Sequence, residues 1–262
     1  MDLDLKSTLE LVVGWAKEVG SMQRSYFRGD NLGIETKSNV FDVVTKVDKL
    51  CETFLLERIN ASFPAHGVLG EESGEHDVHS DYLWIVDPLD GTNNYSQGLP
   101  VFSVSIALQY RGETIVGVVY APYLNELFWA SKGGGAYMKS RSGEVKRLHV
   151  SDKQTLATSV IATGFPYDKD VNPDNNSDNV ARIIPYVRDV RRLGSAAYDL
   201  SCVAAGLLDG YWELDLHEWD VCAANLIVRE AGGVVTDFRP DRGVSQAAGN
   251  ETLVREILKY VI

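Results

Sequence analysis

The sequence is short of basic residues, cysteines and long apolar runs, and each shortage excludes a class of protein. Lys and Arg number 25 against 37 Asp and Glu, a net charge of −12, which argues against general affinity for nucleic acid or anionic membranes. Three scattered cysteines are too few for a disulfide framework and favour a reducing compartment. No apolar stretch approaches the roughly 20 residues that span a bilayer, and the first residues lack a signal-peptide pattern. We expect a cytoplasmic protein with no membrane and no direct nucleic-acid partner.

The length and balance of the chain indicate a folded protein with a sizeable core. Of its 262 residues, 45% are hydrophobic and 24% are charged, which is an ordinary globular composition. A chain of this length can fold without disulfides or a structural metal. The acid excess therefore has two interpretations: a charge that favours solubility, or acids gathered to hold cations.

The acids are unevenly distributed along the chain. No Lys or Arg occurs between Arg58 and Arg111, and seven acids lie there. They are Glu71, Glu72, Glu75, Asp77, Asp81, Asp87 and Asp90. Like charges repel, and a fold tolerates them more easily when a cation binds. A solvated loop explains the middle three, but it does not explain Asp87 and Asp90.

Asp87 and Asp90 follow a predicted buried strand. Residues 82–86, Tyr-Leu-Trp-Ile-Val, are aromatic and aliphatic, and Pro88 interrupts the ladder after them. Two carboxylates at the carboxyl end of such a strand can converge on one point. Residues 91–95 are predicted to begin a short helix, whose N–H groups favour an anion, while Gly91 permits a close backbone approach. The pattern indicates a cation–phosphate site, although Asp-Pro and Asp-Gly also occur in ordinary turns.

Three further segments end in acids. Residues 41–48 alternate like a strand that ends at Asp48, and a helical spacing follows, so Asp48 is either a site residue or merely a helix N-cap. Glu71 and Glu72 follow a short apolar run and Gly70. Asp220 precedes a predicted helix over residues 221–231, where it could also serve only the helix dipole.

The remaining periodicity predicts a mixed α/β protein. Apolar spacing from Leu5 to Val19 indicates an N-terminal helix. Strands are predicted over residues 101–109, 113–120, 127–130, 156–162, 187–193 and 234–238, and a helix over 196–207. Short turns between the first three of these strands make at least part of a sheet antiparallel.

These segments, in this order, resemble the inositol monophosphatase family. The strongest match is Asp87-Pro-Leu-Asp-Gly-Thr92, the signature run of the family. The other matches are Asp42-Val-Val-Thr-Lys-Val-Asp48, Gly70-Glu-Glu-Ser73, Gly194-Ser-Ala-Ala197, and Trp219-Asp220 followed by Glu230-Ala-Gly-Gly233. The resemblance spans about residues 36–240 and is strongest to the bacterial branch, through Gly164-Phe-Pro-Tyr167 and Arg192-Leu-Gly-Ser-Ala-Ala-Tyr-Asp-Leu200.

The resemblance implies a fold and an assembly. The family fold is a layered αβαβα sandwich of the inositol monophosphatase and fructose-1,6-bisphosphatase type. We therefore expect one catalytic domain over residues 1–262. Its lobes would be about 1–150, with an antiparallel sheet and the main metal motifs, and 151–262, an α/β lobe. Family members are commonly homodimers.

The resemblance also implies a reaction and its residues. The expected protein is a phosphomonoesterase that uses two or three Mg²⁺ ions and is inhibited by Li⁺. The residues implied as metal ligands are Glu71, Asp87, the Leu89 carbonyl, Asp90 and Asp220. The residues implied to activate water are Asp48 and Thr92, with Glu71 beside the activating water. The phosphate would bind the N–H groups of Gly91 and Thr92. The residues implied to face the alcohol are Asp90, Ala196, Ala197 and Glu213.

The chemistry of these residue types is consistent with that expectation. Mg²⁺ is a hard ion that prefers carboxylate, carbonyl, water and phosphate oxygens. Paired metals activate a water and neutralise charge on the phosphoryl group and the leaving alkoxide. No Ser, Cys or His nucleophile is needed, and the sequence has no convincing triad.

The substrate is less constrained by the sequence. Inositol 1-phosphate is the first expectation, with Glu213 facing ring hydroxyls. Fructose 1,6-bisphosphate and nucleotide 2′- or 3′-phosphates are alternatives, as is NADP. His217-Glu218 stands where many bacterial members have Lys-Pro, and the extra acid argues against a second substrate phosphate. A regulatory binding protein that retains the fold is an alternative of another class, but every expected ligand position carries the expected acid.

Overall fold

The computed structural model describes residues 3–262. The expectation that the first residues lack a signal-peptide pattern also concerns residues 1 and 2, which lie outside the described residues. The helices are α1 Leu5–Tyr26, α2 Lys46–Ser62, α3 Thr92–Ser96, α4 Ser177–Ile183, α5 Ala196–Ala204, α6 Glu218–Glu230 and α7 Glu251–Ile257. The first strands are β1 Glu35–Thr36, β2 Val43–Val44, β3 Gly67–Gly70, β4 Gly74–His76, β5 Tyr82–Asp90, β6 Ser103–Tyr110, β7 Glu113–Ala121 and β8 Glu126–Ser131. The later strands are β9 Gly135–Lys139, β10 Val145–Arg147, β11 Val160–Thr163, β12 Asp189–Arg191, β13 Gly210–Leu216, β14 Val234–Asp237 and β15 Val244–Gly249.

Two sheets carry almost all of the strands. The larger has eight strands in the order β10-β9-β8-β7-β6-β5-β3-β4, and the smaller has five in the order β12-β11-β13-β15-β14. The larger sheet was expected to be antiparallel, but β3 and β5 pair in parallel. The reason is that β4 folds back on one edge of β3, and the chain then returns to the other edge as β5.

The layers follow from where the apolar side chains are buried. One core lies between helices α1 and α2 and the outer face of the larger sheet, and includes Val12, Leu55 and Trp84. A second core encloses α5 and α6 between the two sheets. A third covers the far face of the smaller sheet, with contributions from α4 and α7. The expected αβαβα sandwich, a mixed α/β fold, is therefore confirmed.

The middle layer depends on close approach of a helix to a strand. Helix α6 buries every residue from Val221 to Val228, as a helix between two sheets must. A Cβ atom on Gly117 of β7 would lie 2.5 Å from the Ala223 carbonyl oxygen. Glycine at this position therefore lets α6 lie directly on β7.

Several predicted boundaries shift in the structure. Only Val43–Val44 of the predicted strand over 41–48 pairs, because Thr45 caps the helix that follows. Residues 156–158 form a 3₁₀ turn, so the predicted strand over 156–162 begins at Val160. The helix predicted over 196–207 ends at Ala204, and Gly206 then has a φ of 67°.

The lobe boundary near residue 150 stays a prediction. The larger sheet ends at Arg147 and the smaller begins at Val160, but both sheets share the core around α5 and α6. Within residues 3–262, no helix is long and apolar enough to cross a membrane.

Candidate active site

Strand β5 ends in a bulge that turns both of its acids to one side. Asp87 pairs with Ser105 and Asp90 with Ser103, so the segment of β5 contains one residue more than its partner. A regular strand points residues three apart to opposite faces, and the extra residue restores a common side. The Leu89 N–H donates a 2.8 Å hydrogen bond to Asp87 Oδ1 and closes the bulge. Asp87 and Asp90 consequently line one cleft.

This acidic cleft brings together the acids from separate segments of the chain. We define it by Glu71, Asp87, Leu89, Asp90, Thr92 and Asp220, all of which line it. These residues come from the end of β3, from β5 and α3, and from the start of α6. The structure thus places the five expected metal ligands next to the hydroxyl of Thr92, which is expected to transfer a proton.

Asp90 lies against the N-terminus of α5. Its Oδ2 accepts hydrogen bonds from Ser195 Oγ at 2.6 Å and from Ala197 N at 2.8 Å, and its Oδ1 accepts from Ala196 N at 3.3 Å. Burial raises the pKa of Asp90 to about 6, and the Ser195 and Ala197 hydrogen bonds oppose this rise. The first turn of α5 therefore supports the negative charge of a carboxylate that β5 presents.

The structure separates the two alanines that were expected to face the alcohol. Ala196 lines the pocket next to the acidic cleft. Ala197 has no exposed surface and is absent from that lining, because its side chain packs into the core between the sheets. Only the N–H group of Ala197 reaches the site, through Asp90.

Asp48 is fully buried and bonds the hydroxyl of Thr92. Thr92 Oγ1 lies 2.9 Å from Asp48 Oδ1 and 2.9 Å from the Leu89 carbonyl oxygen. Asp48 Oδ2 accepts from Thr45 N at 2.9 Å and from Thr45 Oγ1 at 2.5 Å. Burial raises the pKa of Asp48 to about 6. The N-cap interpretation of Asp48 is wrong: Thr45 is the N-cap of α2, and Asp48 closes the capping box from the third helical position.

Asp220 has the same local geometry at the start of α6. Helix α6 begins at Glu218, with His217 as its N-cap, and Asp220 Oδ2 accepts from His217 N at 2.7 Å. Burial raises the pKa of Asp220 well above its ordinary value, and nearby Asp90 adds to the rise. The capping bond uses one carboxylate oxygen, so the other remains available to the cleft.

Lys37 provides a cation that sequence patterns did not reveal. Its Nζ lies 2.7 Å from Glu71 Oε1 and 2.6 Å from Glu72 Oε1. The two acids raise the pKa of Lys37 against the opposing effect of burial. Burial and the neighbouring Glu71 raise the pKa of Glu72 to about 7. The only signal in the sequence was indirect: the acid stretch has no basic residue of its own and needs a counter-ion from elsewhere.

The cleft fits a hard divalent cation. Burial, followed by the charges of Glu71, Asp90 and Asp220, raises the pKa of Asp87 well above its ordinary value. Four acids that repel one another at close range, with oxygen as the only donor type, are a donor set suited to Mg²⁺. Glu71 Oε2 is also buried without a hydrogen-bond partner, so this oxygen is free to accept a cation.

The acids do not form a closed metal cage. Among residues 3–262, no three His, Cys, Asp or Glu side chains already surround a single point as metal ligands do. Ser195 and Ala197 engage Asp90, while Lys37 engages Glu71. Small side-chain movements would therefore have to accompany metal binding.

Gly91 allows the chain to turn from β5 into α3. Its φ of 95° lies in the left-handed region, and a Cβ atom there would lie 3.0 Å from the Gly194 carbonyl oxygen and 3.1 Å from that of Val101. Only glycine fits without strain. Gly91 and Thr92, which begin α3, line the cleft, and the first N–H groups of a helix have no partner within the helix.

The adjoining pocket opens from the acidic cleft and contains Glu213. We define it by Asp90, Gly164, Lys169, Arg192, Ala196 and Glu213, which line it. Tyr211 donates a 2.5 Å hydrogen bond to Glu213 Oε2, and burial raises the pKa of Glu213 to about 7. A Cβ atom on Gly164 would lie 1.9 Å from Glu213 Oε1. The Glu213 carboxylate therefore occupies space that is free only because residue 164 has no side chain.

Glu218 faces away from this pocket. It lines a different cavity, together with Thr114 and Arg229, and it is absent from the lining of the cleft and of the adjoining pocket. His217, one residue earlier, lines both. The sequence argument that Glu218 disfavours a second substrate phosphate is thus wrong, because the turn into α6 directs the two side chains to different sides.

Comparison with known proteins decides the family. The model of the inositol monophosphatase family matches residues 4–257. The chain belongs to the inositol monophosphatase family. Membership makes it a phosphomonoesterase, as the resemblance predicted.

Individual members are similar over nearly their whole length. An inositol-1-monophosphatase of Mesorhizobium japonicum is 39% identical over 97% of this chain and 95% of its own. The Nus factor SuhB of Pasteurella multocida is 41% identical with the same coverage. The solved inositol monophosphatase of Anabaena superposes with a TM-score of 0.86 at 36% identity, covering 98% of this chain and 96% of the other.

Proposed function

We propose that the protein hydrolyses a small phosphate monoester in a Mg²⁺-dependent, Li⁺-sensitive reaction, with inositol 1-phosphate as the first candidate substrate. The observation that carries this proposal is the convergence of Glu71, Asp87, Asp90 and Asp220 on one cleft beside the first turn of α3. The similarity to the Mesorhizobium inositol-1-monophosphatase supports the choice of substrate.

Glu71, Asp87 and the Leu89 carbonyl would hold one Mg²⁺, and Asp87, Asp90 and Asp220 a second, with Asp87 between them. A weaker third ion would lie near Glu71. When bound, these ions would lower the pKa of a water molecule and neutralise charge on the phosphoryl group. For Glu71 to serve as a ligand, Lys37 must leave Oε1 or share the carboxylate, because its ammonium is only 2.7 Å away.

Thr92 and Asp48 would carry the proton of the attacking water. Thr92 Oγ1 would accept that proton and pass its own to Asp48 Oδ1, 2.9 Å away. The raised pKa of Asp48, about 6, makes this carboxylate a better proton acceptor than an exposed aspartate. Its second oxygen stays bound to Thr45, so the orientation of the acceptor does not depend on substrate.

The substrate would lie across the cleft and the adjoining pocket. The phosphate would accept from the N–H groups of Gly91 and Thr92, which open α3. The alcohol would face Ala196 and the Glu213 carboxylate, which can accept hydrogen bonds from ring hydroxyls. Asp90 lines both spaces and would contact the substrate as well as a metal ion.

The test is a phosphate-release panel with the purified protein. Inositol 1-phosphate, fructose 1,6-bisphosphate and 3′-phosphoadenosine 5′-phosphate are compared with and without Mg²⁺ and Li⁺. We expect Mg²⁺-dependent release from inositol 1-phosphate that Li⁺ suppresses. Much faster release from either of the other two would overturn inositol phosphate as the substrate, and release without Mg²⁺ would overturn the metal assignment.

A regulatory role is the second candidate. A relative at 41% identity is a Nus factor by name, and this name supports the alternative that the chain binds a macromolecular partner in addition to a small phosphate ester. An Asp90→Asn variant that lacks turnover but retains every cellular phenotype of the wild type would favour this alternative.

Location and assembly complete the proposal. Cys51, Cys202 and Cys222 are all unpaired and buried, which supports a reducing, cytoplasmic location. A homodimer is proposed from the family, and light scattering coupled to gel filtration tests it: a single species near 29 kDa, the mass of one chain, would refute it.

A further inference from the structure

A long loop forms one wall of the adjoining pocket. The segment between β11 and α4, residues 164–176, has no helix or strand of its own, and we call it the pocket loop. The residues of this loop that line the adjoining pocket are Gly164, Phe165, Pro166, Tyr167 and Lys169. Tyr167 also lines the acidic cleft. Loops of this length are usually functional, and the position of this one determines the shape of the space that would receive the alcohol.

Asn176 joins the two ends of the pocket loop. Its Nδ2 donates to the Gly164 carbonyl oxygen at 2.6 Å and to Thr163 Oγ1 at 2.8 Å. Its Oδ1 accepts from Trp212 Nε1 at 2.8 Å. Because Trp212 belongs to β13, the base of the loop is fixed to the strand that also carries Glu213. These bonds leave the middle of the loop to be held by other contacts.

Arg242 holds the middle of the pocket loop. Its Nη2 donates to Asp168 Oδ1 at 2.7 Å and its Nη1 to Asp168 Oδ2 at 3.0 Å, a bidentate geometry that fixes the orientation of the carboxylate as well as its distance. Nη2 also donates to the Asp174 carbonyl oxygen at 3.2 Å. Asp168 is absent from the pocket lining, but its sequence neighbours Tyr167 and Lys169 belong to it. A grip on Asp168 therefore fixes the two residues that form the wall.

The same guanidinium is paired with β13, which forms another wall of the pocket. Arg242 Nη1 lies 3.0 Å from Asp215 Oδ2, and Asp215 lines the pocket where β13 shifts its register. Its φ of 61° is uncommon for a residue other than glycine. A Cβ atom on Gly243 would lie 2.7 Å from Asp215 Oδ1, so glycine lets the turn that carries Arg242 lie against β13. Arg242 thus joins the pocket loop to the strand that presents Glu213.

Two weaker contacts also reach the middle of the loop. The Tyr167 carbonyl oxygen accepts a 3.1 Å hydrogen bond from Asn39 Nδ2, and Lys169 Nζ lies 4.1 Å from the ring centroid of Phe41. Each is a single contact, whereas Arg242 makes two parallel charge-assisted hydrogen bonds with only 14% of its side chain exposed. Bidentate pairs of this kind are stronger than a single neutral hydrogen bond, so Arg242 is the main attachment of this part of the loop.

We infer that Arg242 is a positioning residue: by joining Asp168 to Asp215, it holds the pocket loop in the position that binds substrate. This inference rests on the proposed function and adds to it a residue outside the site. Arg242 is absent from the lining of the cleft and of the adjoining pocket, so it acts through the loop. Its loss would weaken the binding of substrate and transition state alike, which raises KM and leaves kcat nearly unchanged.

The test measures KM and kcat of the full chain with Mg²⁺, on whichever ester of the phosphate-release panel is hydrolysed fastest. We expect Arg242→Met to raise KM about tenfold and to lower kcat by less than about threefold. Asp168→Ala, which removes the partner in the loop, should have the same effect. The double variant should be no worse than either single variant, because both changes remove one contact. Arg242→Lys keeps the charge without the fork and should raise KM by less.

A matched control lies in the same turn. Arg239 pairs with Asp174 at 2.8 Å and with Asp241 at 2.9 Å, and neither partner lines the pocket. Arg239→Met removes the same charge and should change KM by less than about twofold. Amide hydrogen exchange read by mass spectrometry should be faster over residues 164–176 in Arg242→Met than in Arg239→Met, with the exchange of β5 and α6 unchanged.

Each failure has a distinct meaning. An unchanged KM in Arg242→Met and Asp168→Ala would overturn the positioning role while the hydrolytic function stands. If Arg242→Met does not fold, an unchanged KM in Asp168→Ala and Arg242→Lys would overturn it equally. Effects that multiply in the double variant, or an equal rise of KM in Arg239→Met, would also overturn it. Absence of Mg²⁺-dependent release from every phosphate ester would overturn the proposed function and the positioning role with it.

Discussion

The metal-free protein should become less stable as the pH rises from 5 to 7.5. Burial raises the pKa of Asp48 from 3.8 to about 6, so the folded protein binds this proton more tightly than the unfolded chain. The stabilisation is complete below about pH 4 and is lost as the pH rises through about 6. A tenfold change in proton affinity corresponds to about 1.4 kcal/mol, so Asp48 alone contributes about 3 kcal/mol.

The assay is chemical or thermal unfolding in the presence of EDTA across this pH range. Between pH 5 and 7.5 the loss is about half of this, roughly 1.5 kcal/mol, because part of the proton affinity difference is already lost below pH 5. For a chain of this length, that corresponds to a fall in Tm of roughly 3–6 °C. Asp48→Asn should flatten this dependence. The asparagine oxygen can still accept from Thr45, and its amide can donate to Thr92 Oγ1, which then donates to the Leu89 carbonyl.

Two comparisons make the result specific. His66, whose pKa burial lowers, changes stability in the opposite direction, so the difference between wild type and Asp48→Asn is the informative quantity. Asp152→Asn, at an exposed position, should keep the wild-type slope. A wild-type free energy of unfolding that stays constant or rises between pH 5 and 7.5, or an unchanged slope in Asp48→Asn, would refute the reasoning.

Three other substitutions test the site. Asp90→Asn should lower Mg²⁺-dependent phosphate release by at least 100-fold, with circular dichroism unchanged, because it removes a charge on which the proposed metal site depends; wild-type release would contradict the assignment. Lys37→Met should tighten Mg²⁺ binding in calorimetry several-fold, because its ammonium competes for Glu71; weaker binding would contradict competition. Gly164→Ala should raise KM about tenfold, because its Cβ atom would displace the Glu213 carboxylate; an unchanged KM would separate Glu213 from substrate binding.

The predictions that depend on local pattern agree with the structure. The apolar run before Asp87 forms the buried strand β5, and residues 92–96 form the short helix that Gly91 introduces. Whether a short segment is buried or forms a turn depends mainly on residues that are adjacent in the sequence, so a single sequence is enough to predict both. The layered fold followed from the resemblance and not from periodicity.

Two of the predictions that fail concern side-chain direction at helix starts. Asp48 is not an N-cap because Thr45 already is, and Glu218 turns away from the pocket that His217 lines. A shift of one residue in where a helix begins rotates a side chain by about 100°. Periodicity does not locate helix ends that finely.

The cations of the site were also missed, for a different reason. Lys37, Lys169 and Arg192 come from irregular loops, where no repeat constrains their direction. They reach the site only because distant segments meet there, as when Asn93 and Asn94 tie two loops to α3. Such contacts depend on the folded topology and leave no local signal in one sequence.

The capping boxes at Asp48 and Asp220 affect which substitutions the protein can accumulate during evolution. Each carboxylate accepts a hydrogen bond from the backbone N–H group of a residue three positions earlier, Thr45 or His217. Replacing a side chain of the adjoining pocket, such as Lys169 or Arg192, would therefore leave both of these hydrogen bonds in place. Substitutions in the adjoining pocket and substitutions in the acidic cleft can therefore be selected independently. A descendant of this protein could accept a different substrate while it keeps the same hydrolytic residues.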